Sequence, residues 1–142
     1  MGRGHKMDEL TKYQKLISVA HESLKEAYAP YSDYKVGAAV IMEDGKIYGG
    51  CNVENASFGA SNCAERTAIF KGVSEGNRKI EAIAIVGSNG QKTFPCGICR
   101  QVISEFSKDA KIILTNSNKE IEVFTLEELL PHGFSKQDFL EE

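Results

Sequence analysis

Residues 36–52, VGAAVIMEDGKIYGGCN, decide how the chain folds. Val36 to Met42 is a short, almost wholly apolar run of the kind found in a strand covered on both faces. Asp44-Gly45 is a hairpin signal, and Lys46 to Asn52 returns as a second, antiparallel strand. Ahead of this hairpin, Leu10, Tyr13, Leu16, Ile17, Ala20, Leu24 and Ala27 recur at helical spacing, so the sequence predicts an amphipathic helix from Asp8 to Tyr28, capped by Asp8 or Thr11 and stopped before Pro30. After the hairpin come a polar loop from Asn55 to Asn62, a helix from Cys63 to Val73 and a strand from Ile80 to Val86. Gly87 to Thr93 reads as a loop, Cys96 to Phe106 as a helix opened by Pro95, and Lys111 to Thr115 and Glu120 to Phe124 as strands. Thr125, with Glu128 three residues on, forms a capping box for a last short helix through Leu130. Strands separated by helices imply a mixed five-stranded sheet covered on both faces, an α/β/α sandwich of the α/β class. Strands joined through a helix should run parallel.

The composition is that of an ordinary globular protein: 142 residues, 42% hydrophobic and 26% charged. Residues 1–7 are polar and read as a flexible tail, leaving residues 8–142 as a single domain. A net charge of -3 and a pI near 5.7 argue against a nucleic-acid partner, whose phosphates need a basic footprint. No apolar run approaches the roughly 18 residues of a membrane span, and Met1 to Lys6 lacks a signal-peptide core, so a cytoplasmic location with no membrane partner is expected.

The four cysteines are a lone Cys51, a lone Cys63 and the pair Cys96 and Cys99. Three thiolates can fill three corners of a tetrahedral zinc site and leave the fourth to water, and Glu65, two residues after Cys63, can handle that water's proton. Cys63 and Cys96 each open a helix, so first-turn side chains from two helix ends can converge, and both helix dipoles favour thiolates. One Zn²⁺ per chain on three thiolates carries a net charge of -1, for which Arg66 and Arg100 are placed to compensate. A thioredoxin-like redox pair would leave Cys63 and Glu65 unexplained. A closed structural zinc site would need a fourth ligand, and Cys51, on a predicted strand, reads better as a small buried hydrophobe. His5, His21 and His132 fall in a tail, a helix and a turn, and none reads as a ligand.

A Cys-x-Glu stretch followed by Pro-Cys-x-x-Cys is the mark of the zinc deaminases. Cys63-Ala64-Glu65-Arg66-Thr67-Ala68 and Pro95-Cys96-Gly97-Ile98-Cys99-Arg100-Gln101 resemble the small cytidine deaminases of pyrimidine salvage. The likeness runs on through Tyr31-Ser32, Val36-Gly37-Ala38-Ala39, Gly50 to Ala56 and Glu127 to Pro131, and covers most of the chain from Ala29 to Phe134. It implies hydrolysis of cytidine and deoxycytidine to uridine and deoxyuridine with release of ammonia. Cys63, Cys96 and Cys99 would hold the zinc, and Glu65 would be the catalytic acid and base. The resemblance also implies that Asn52 and Glu54 grip the ribose, that Ala64 offers backbone groups to the base, and that Tyr34 walls the pyrimidine. All-cysteine ligation points to the homotetrameric class, in which Phe134 of a neighbouring subunit covers the substrate. Two positions depart from the usual pattern: Tyr34 stands where Phe is common, so its hydroxyl needs a partner, and Phe58 stands where many relatives carry Tyr. Competing readings are a deaminase of another cytosine nucleoside or of a base within a polynucleotide, and a zinc-stabilised binding module without catalysis.

Overall fold

The structure, a computed structural model, describes residues 8–136. The tail expected at residues 1–7 lies outside them. The first helix, α1, spans Glu9–Leu24, with the Asp8 carboxylate accepting from Thr11 N at 2.8 Å as its cap. It ends four residues short of the predicted Tyr28. Tyr28 cannot extend it, because its N–H donates to Asn52 O at 3.0 Å and its carbonyl accepts from Glu54 N at 2.8 Å. The backbone there is taken by the segment that follows the hairpin.

That hairpin is strand β1, Val36–Met42, and strand β2, Ile47–Cys51, paired antiparallel with Ile41 opposite Ile47. Helix α2 (Ala64–Ser74), strand β3 (Ile80–Gly87), helix α3 (Gly97–Phe106), strands β4 (Lys111–Thr115) and β5 (Ile121–Thr125) and helix α4 (Leu126–Leu129) complete the order. Thr125 caps α4 through the full capping box with Glu128. The sheet order is β2-β1-β3-β4-β5; β3 and β4 pair parallel and the other neighbours antiparallel. Strands β2 and β3, joined through α2, also run in the same direction, with β1 between them.

Every residue of β1 is buried because the sheet is covered on both sides. Alternation along the strands sends Ala39, Ile41, Ala82, Ala84, Val86 and Ile113 to one face, against Tyr13, Leu16 and Ala20 of α1. Ala38, Val40, Ile83, Ile85, Ile112 and Leu114 face the opposite way, against Ala68 and Ile69 of α2 and Ile103 of α3. Burying Leu16 completely contributes about 1.5–3 kcal/mol, and α1 depends on such contacts to stay on its face. Gly50 lets α2 lie directly on β2: a methyl group there would come within 2.5 Å of Ala68 N and 2.9 Å of Ala64 O. The start of α2 is thereby drawn against the sheet. Since β1 begins where β2, β3 and β4 end, the segments carrying Asn52, Cys63 and Cys96 all leave from one edge of the sheet, the usual place for a site in such folds.

Candidate active site

Cys63 and Cys96 occupy the N-cap positions of α2 and α3, yet neither thiol caps its helix. Both turn instead towards each other, Sγ to Sγ at 3.8 Å, and Cys99 in the first turn of α3 joins them, so that all three sulfurs lie within 4.8 Å of one another. Two helix N-termini aim partial positive charge at this spot. Among the described residues these three are the one group of side chains that could hold a metal ion; Cys51 lies half-buried at the end of β2, where burial raises its thiol pKa. Neither His21 nor His132 joins the group.

The electrostatics favour one early thiolate. The Cys63 thiol is drawn down to about 5, chiefly by a hydrogen bond from Cys99, and Arg66 and Cys96 act in the same direction. Cys99, as donor to Cys63 and fully buried, is pushed the other way. Arg66 Nη2 donates to Cys63 Sγ at 3.3 Å, while its Nε is buried without a partner among the described residues. Arg100 points elsewhere: Nε donates to Pro95 O at 2.8 Å and Nη1 to Leu129 O at 2.7 Å, pinning the turn before Cys96 to the end of α4. Its part is to hold the backbone that carries the ligand pair.

Glu65, in the first turn of α2, is 4% exposed, and burial, reinforced by the negative charge on Cys63, raises its carboxyl to about 7. Three crowded thiols, one already inclined to ionise, beside an unpartnered guanidinium nitrogen fit a soft divalent cation well. Zn²⁺ is the ion such a donor set selects.

Cys63, Cys96 and Glu65 line a cavity of about 680 Å³, with Cys99 buried behind them. Tyr34, Asn52, Glu54, Ala64 and Arg66 line it, as the sequence led one to expect. Asn52 and Glu54 are more committed to the protein than a free clamp would be. Asn52 Oδ1 accepts from Val36 N and its Nδ2 donates to Tyr34 O, both at 2.9 Å. Glu54 Oε1 accepts from Tyr31 N at 2.9 Å and Ser32 N at 3.1 Å, and Oε2 accepts from Ser32 Oγ. These bonds hold the Glu54 carboxyl below its ordinary range, the Ser32 hydroxyl most strongly. The Tyr34 hydroxyl meets Thr93 Oγ1 at 2.7 Å. Phe58 lines the mouth and is 80% exposed, whereas Phe134 lies outside the lining, with its carbonyl accepting from Gln101 Nε2 at 2.7 Å and its ring 62% exposed.

Val36, Thr93, Phe94 and Ile98 also line the cavity. Thr93 and Phe94 sit just after β3 where no regular element is predicted, and Ile98 between two ligands; Thr93 is revealed only by its bond to Tyr34, in the turn before β1.

A mixed sheet that brings a thiol trio from two helix ends against a buried glutamate is the arrangement of the zinc-dependent nucleobase deaminases. Residues 10–115 match the cytidine and deoxycytidylate deaminase zinc-binding region. A cytidine deaminase of Sporosarcina psychrophila is 48% identical over 126 residues, which cover 88% of this chain and 93% of that one. A cytidine deaminase of Halalkalibacterium halodurans is also 48% identical, over 88% of this chain and 96% of its own. The crystal structure of the Burkholderia pseudomallei cytidine deaminase superposes with a TM-score of 0.81 at 44% identity, covering 90% of this chain and all of that one. The chain belongs to the cytidine and deoxycytidylate deaminase family.

Proposed function

We propose that this chain hydrolyses cytidine and deoxycytidine to uridine and deoxyuridine. The observation that carries this reading is the convergence of three sulfurs within 4.8 Å at the end of a nucleoside-sized cavity that Cys63, Cys96 and the buried Glu65 line. Zinc held by Cys63, Cys96 and Cys99 supplies, when bound, a water whose pKa is lowered towards neutrality. Glu65 takes a proton, delivers it to N3 of the ring, and then moves a proton to the 4-amino group so that ammonia leaves. One water oxygen thus replaces the amino nitrogen at C4. A carboxyl poised near 7 is matched to taking and giving a proton at neutral pH. Arg66 offsets the negative charge of the thiolates.

Asn52 and Glu54 take the sugar hydroxyls with the donor and acceptor capacity left over from their backbone bonds, Tyr34 walls the ring, and Ala64 offers backbone groups to the base. The cavity mouth leaves Tyr31, Phe58, Phe94 and Ile98 exposed, and Phe134 stands exposed beyond it. Such a rim suits a homotetramer whose sites are completed by a neighbour's Phe134. Four free cysteines, and the absence among the described residues of a helix long and apolar enough to cross a membrane, suit a cytoplasmic enzyme.

Zinc content and ultraviolet spectra with cytidine, deoxycytidine and a cytosine-containing oligonucleotide test this reading. Turnover of the two free nucleosides with one zinc per chain is expected. Zinc without turnover of any of the three would leave a binding module.

A further inference from the structure

Three stretches of chain line the cavity, residues 31–36, 52–66 and 93–98, and the first and last of them meet across it. The sugar side is the turn at residues 31–36, gripped at one end by Glu54 through Tyr31 N and Ser32 N and at the other by Asn52 through Tyr34 O and Val36 N. The metal side includes the segment from Ser88 to Cys96, which leaves β3 and delivers Cys96 to the head of α3. This segment is tied down mostly away from the cavity. Ser117 N donates to Gly90 O at 2.8 Å, Lys92 Nζ pairs with Glu122 Oε1 at 2.9 Å, and the Phe94 ring packs on Phe124 with centroids 5.4 Å apart. Lys92 thus faces β5, and Phe94 packs on β5 at the cavity's rim. Thr93, between them on an extended stretch, faces the opposite way, into the cavity.

There Thr93 Oγ1 meets the Tyr34 hydroxyl at 2.7 Å in a partly buried position. Room for the pair is made by Gly87, the last residue of β3: a methyl group there would collide with both oxygens. Two other bonds join these stretches, Ser88 N to Lys35 O at 2.9 Å and Lys35 N to Ser88 Oγ at 3.0 Å, and both lie at the exposed start of the segment. Within the cavity the Tyr34–Thr93 bond is the link.

We propose that Tyr34 and Thr93 are a positioning pair whose O–H···O bond sets the spacing between the sugar-side turn and the segment that carries Cys96. The proposal rests on the deaminase reading for its effect on substrate, but the link to Cys96 can be read without substrate. A nucleoside spans both sides, so its binding depends on that spacing, and the second zinc ligand inherits whatever play the segment has.

The experiment is a double-mutant cycle of Tyr34→Phe and Thr93→Val, with Thr93→Ser as rescue, all on the full-length zinc-loaded protein. Tyr34→Phe keeps the ring and removes the hydroxyl alone. Two readouts are taken: KM and kcat for cytidine, and the rate of zinc release to a chromogenic chelator with no nucleoside present. Each single substitution is expected to raise KM and speed zinc release by about 3- to 10-fold, the range one hydrogen bond spans, with kcat changed less. The double variant should match the singles, and Thr93→Ser should restore both values. Effects of the two substitutions that multiply, or a Thr93→Val protein equal to the parent in both readouts, would overturn the proposal. If the parent turns over no cytidine, the deaminase reading fails while the zinc-release cycle still decides the pair.

Discussion

The two carboxylates of the cavity, Glu65 at the metal end and Glu54 at the sugar end, sit in opposite environments. Glu65 is buried next to a thiol that is ready to ionise, and its proton is held up to about 7. Glu54 receives two backbone N–H groups and a hydroxyl, and its proton is driven off below the ordinary range. The same side chain is thus made a proton carrier at one end and a fixed anion at the other. The contrast extends to the neighbours. Around Glu65 the polar groups crowd without full pairing, thiol against thiol and Arg66 Nε alone. Around Glu54 and Asn52 each side-chain polar atom has a named partner, the Ser32 hydroxyl for Glu54 Oε2 and backbone groups for the rest. The metal end is arranged for something it must receive, and the sugar end is complete in itself.

That difference ranks what substitutions should do. The largest effect is expected at the metal end, from Cys99→Ala. Its thiol is fully buried and belongs to the trio, so zinc content should fall towards zero, turnover should vanish, and the melting temperature should drop by about 10 °C as the linkage between metal and folding is lost. Metal analysis and a thermal melt check it; a variant that keeps zinc and activity would place the metal elsewhere.

Glu65→Gln separates chemistry from metal. Zinc should stay bound while kcat falls by about 10²- to 10⁴-fold. The metal-free parent adds a sign. Glu65 binds its proton more tightly in the folded chain, at about 7, than at its ordinary 4.5, so it favours folding below about pH 4.5 and this contribution is lost as pH rises through 7. Melting curves of metal-free Glu65→Gln should lack that decline.

At the sugar end, Asn52→Asp keeps an acceptor for Val36 N but sets a carboxylate oxygen against Tyr34 O, where Nδ2 had donated. The 31–36 turn should loosen. KM for cytidine should rise by about 10-fold and the melting temperature fall by about 5 °C, with zinc content unchanged. Loss of bound zinc in this variant would mean that the metal end depends on the 31–36 turn by more than the Tyr34–Thr93 bond.

Much of this molecule is legible in the sequence, for reasons that differ between the same two ends. The sheet could be read because its strands are short apolar runs punctuated by Asp44-Gly45 and by stretches of helical apolar spacing, and the metal end because its ligands are close in sequence and chemically rare. The apolar spacing over-extends α1 to Tyr28 because it continues past Leu24, and only pairing with residues 52–54 stops the helix. Thr93, Phe94 and the aim of Arg100 were not legible. Each depends on which group the folded chain brings to the side chain, the Pro95 and Leu129 carbonyls to Arg100 and the Tyr34 hydroxyl to Thr93. Local pattern carries no such information.

The smallest expected effect is also the sharpest test of the contrast between the carboxylates. Glu54→Gln can keep Oε1 for the two backbone donors and offer its amide to Ser32 Oγ, so the turn should survive and only the charge is lost. Because the Glu54 proton leaves more easily in the folded chain than at its ordinary 4.5, its contribution to stability is present above pH 4.5 and lost as pH falls through the lower folded value. The parent should therefore lose melting temperature faster than Glu54→Gln between pH 5 and pH 3, by a few degrees at most, since the site is open to solvent. Glu65→Gln should alter the curve on the other side, between pH 4.5 and 8. If both substitutions flatten the same limb, the two carboxylates do not work in opposite senses.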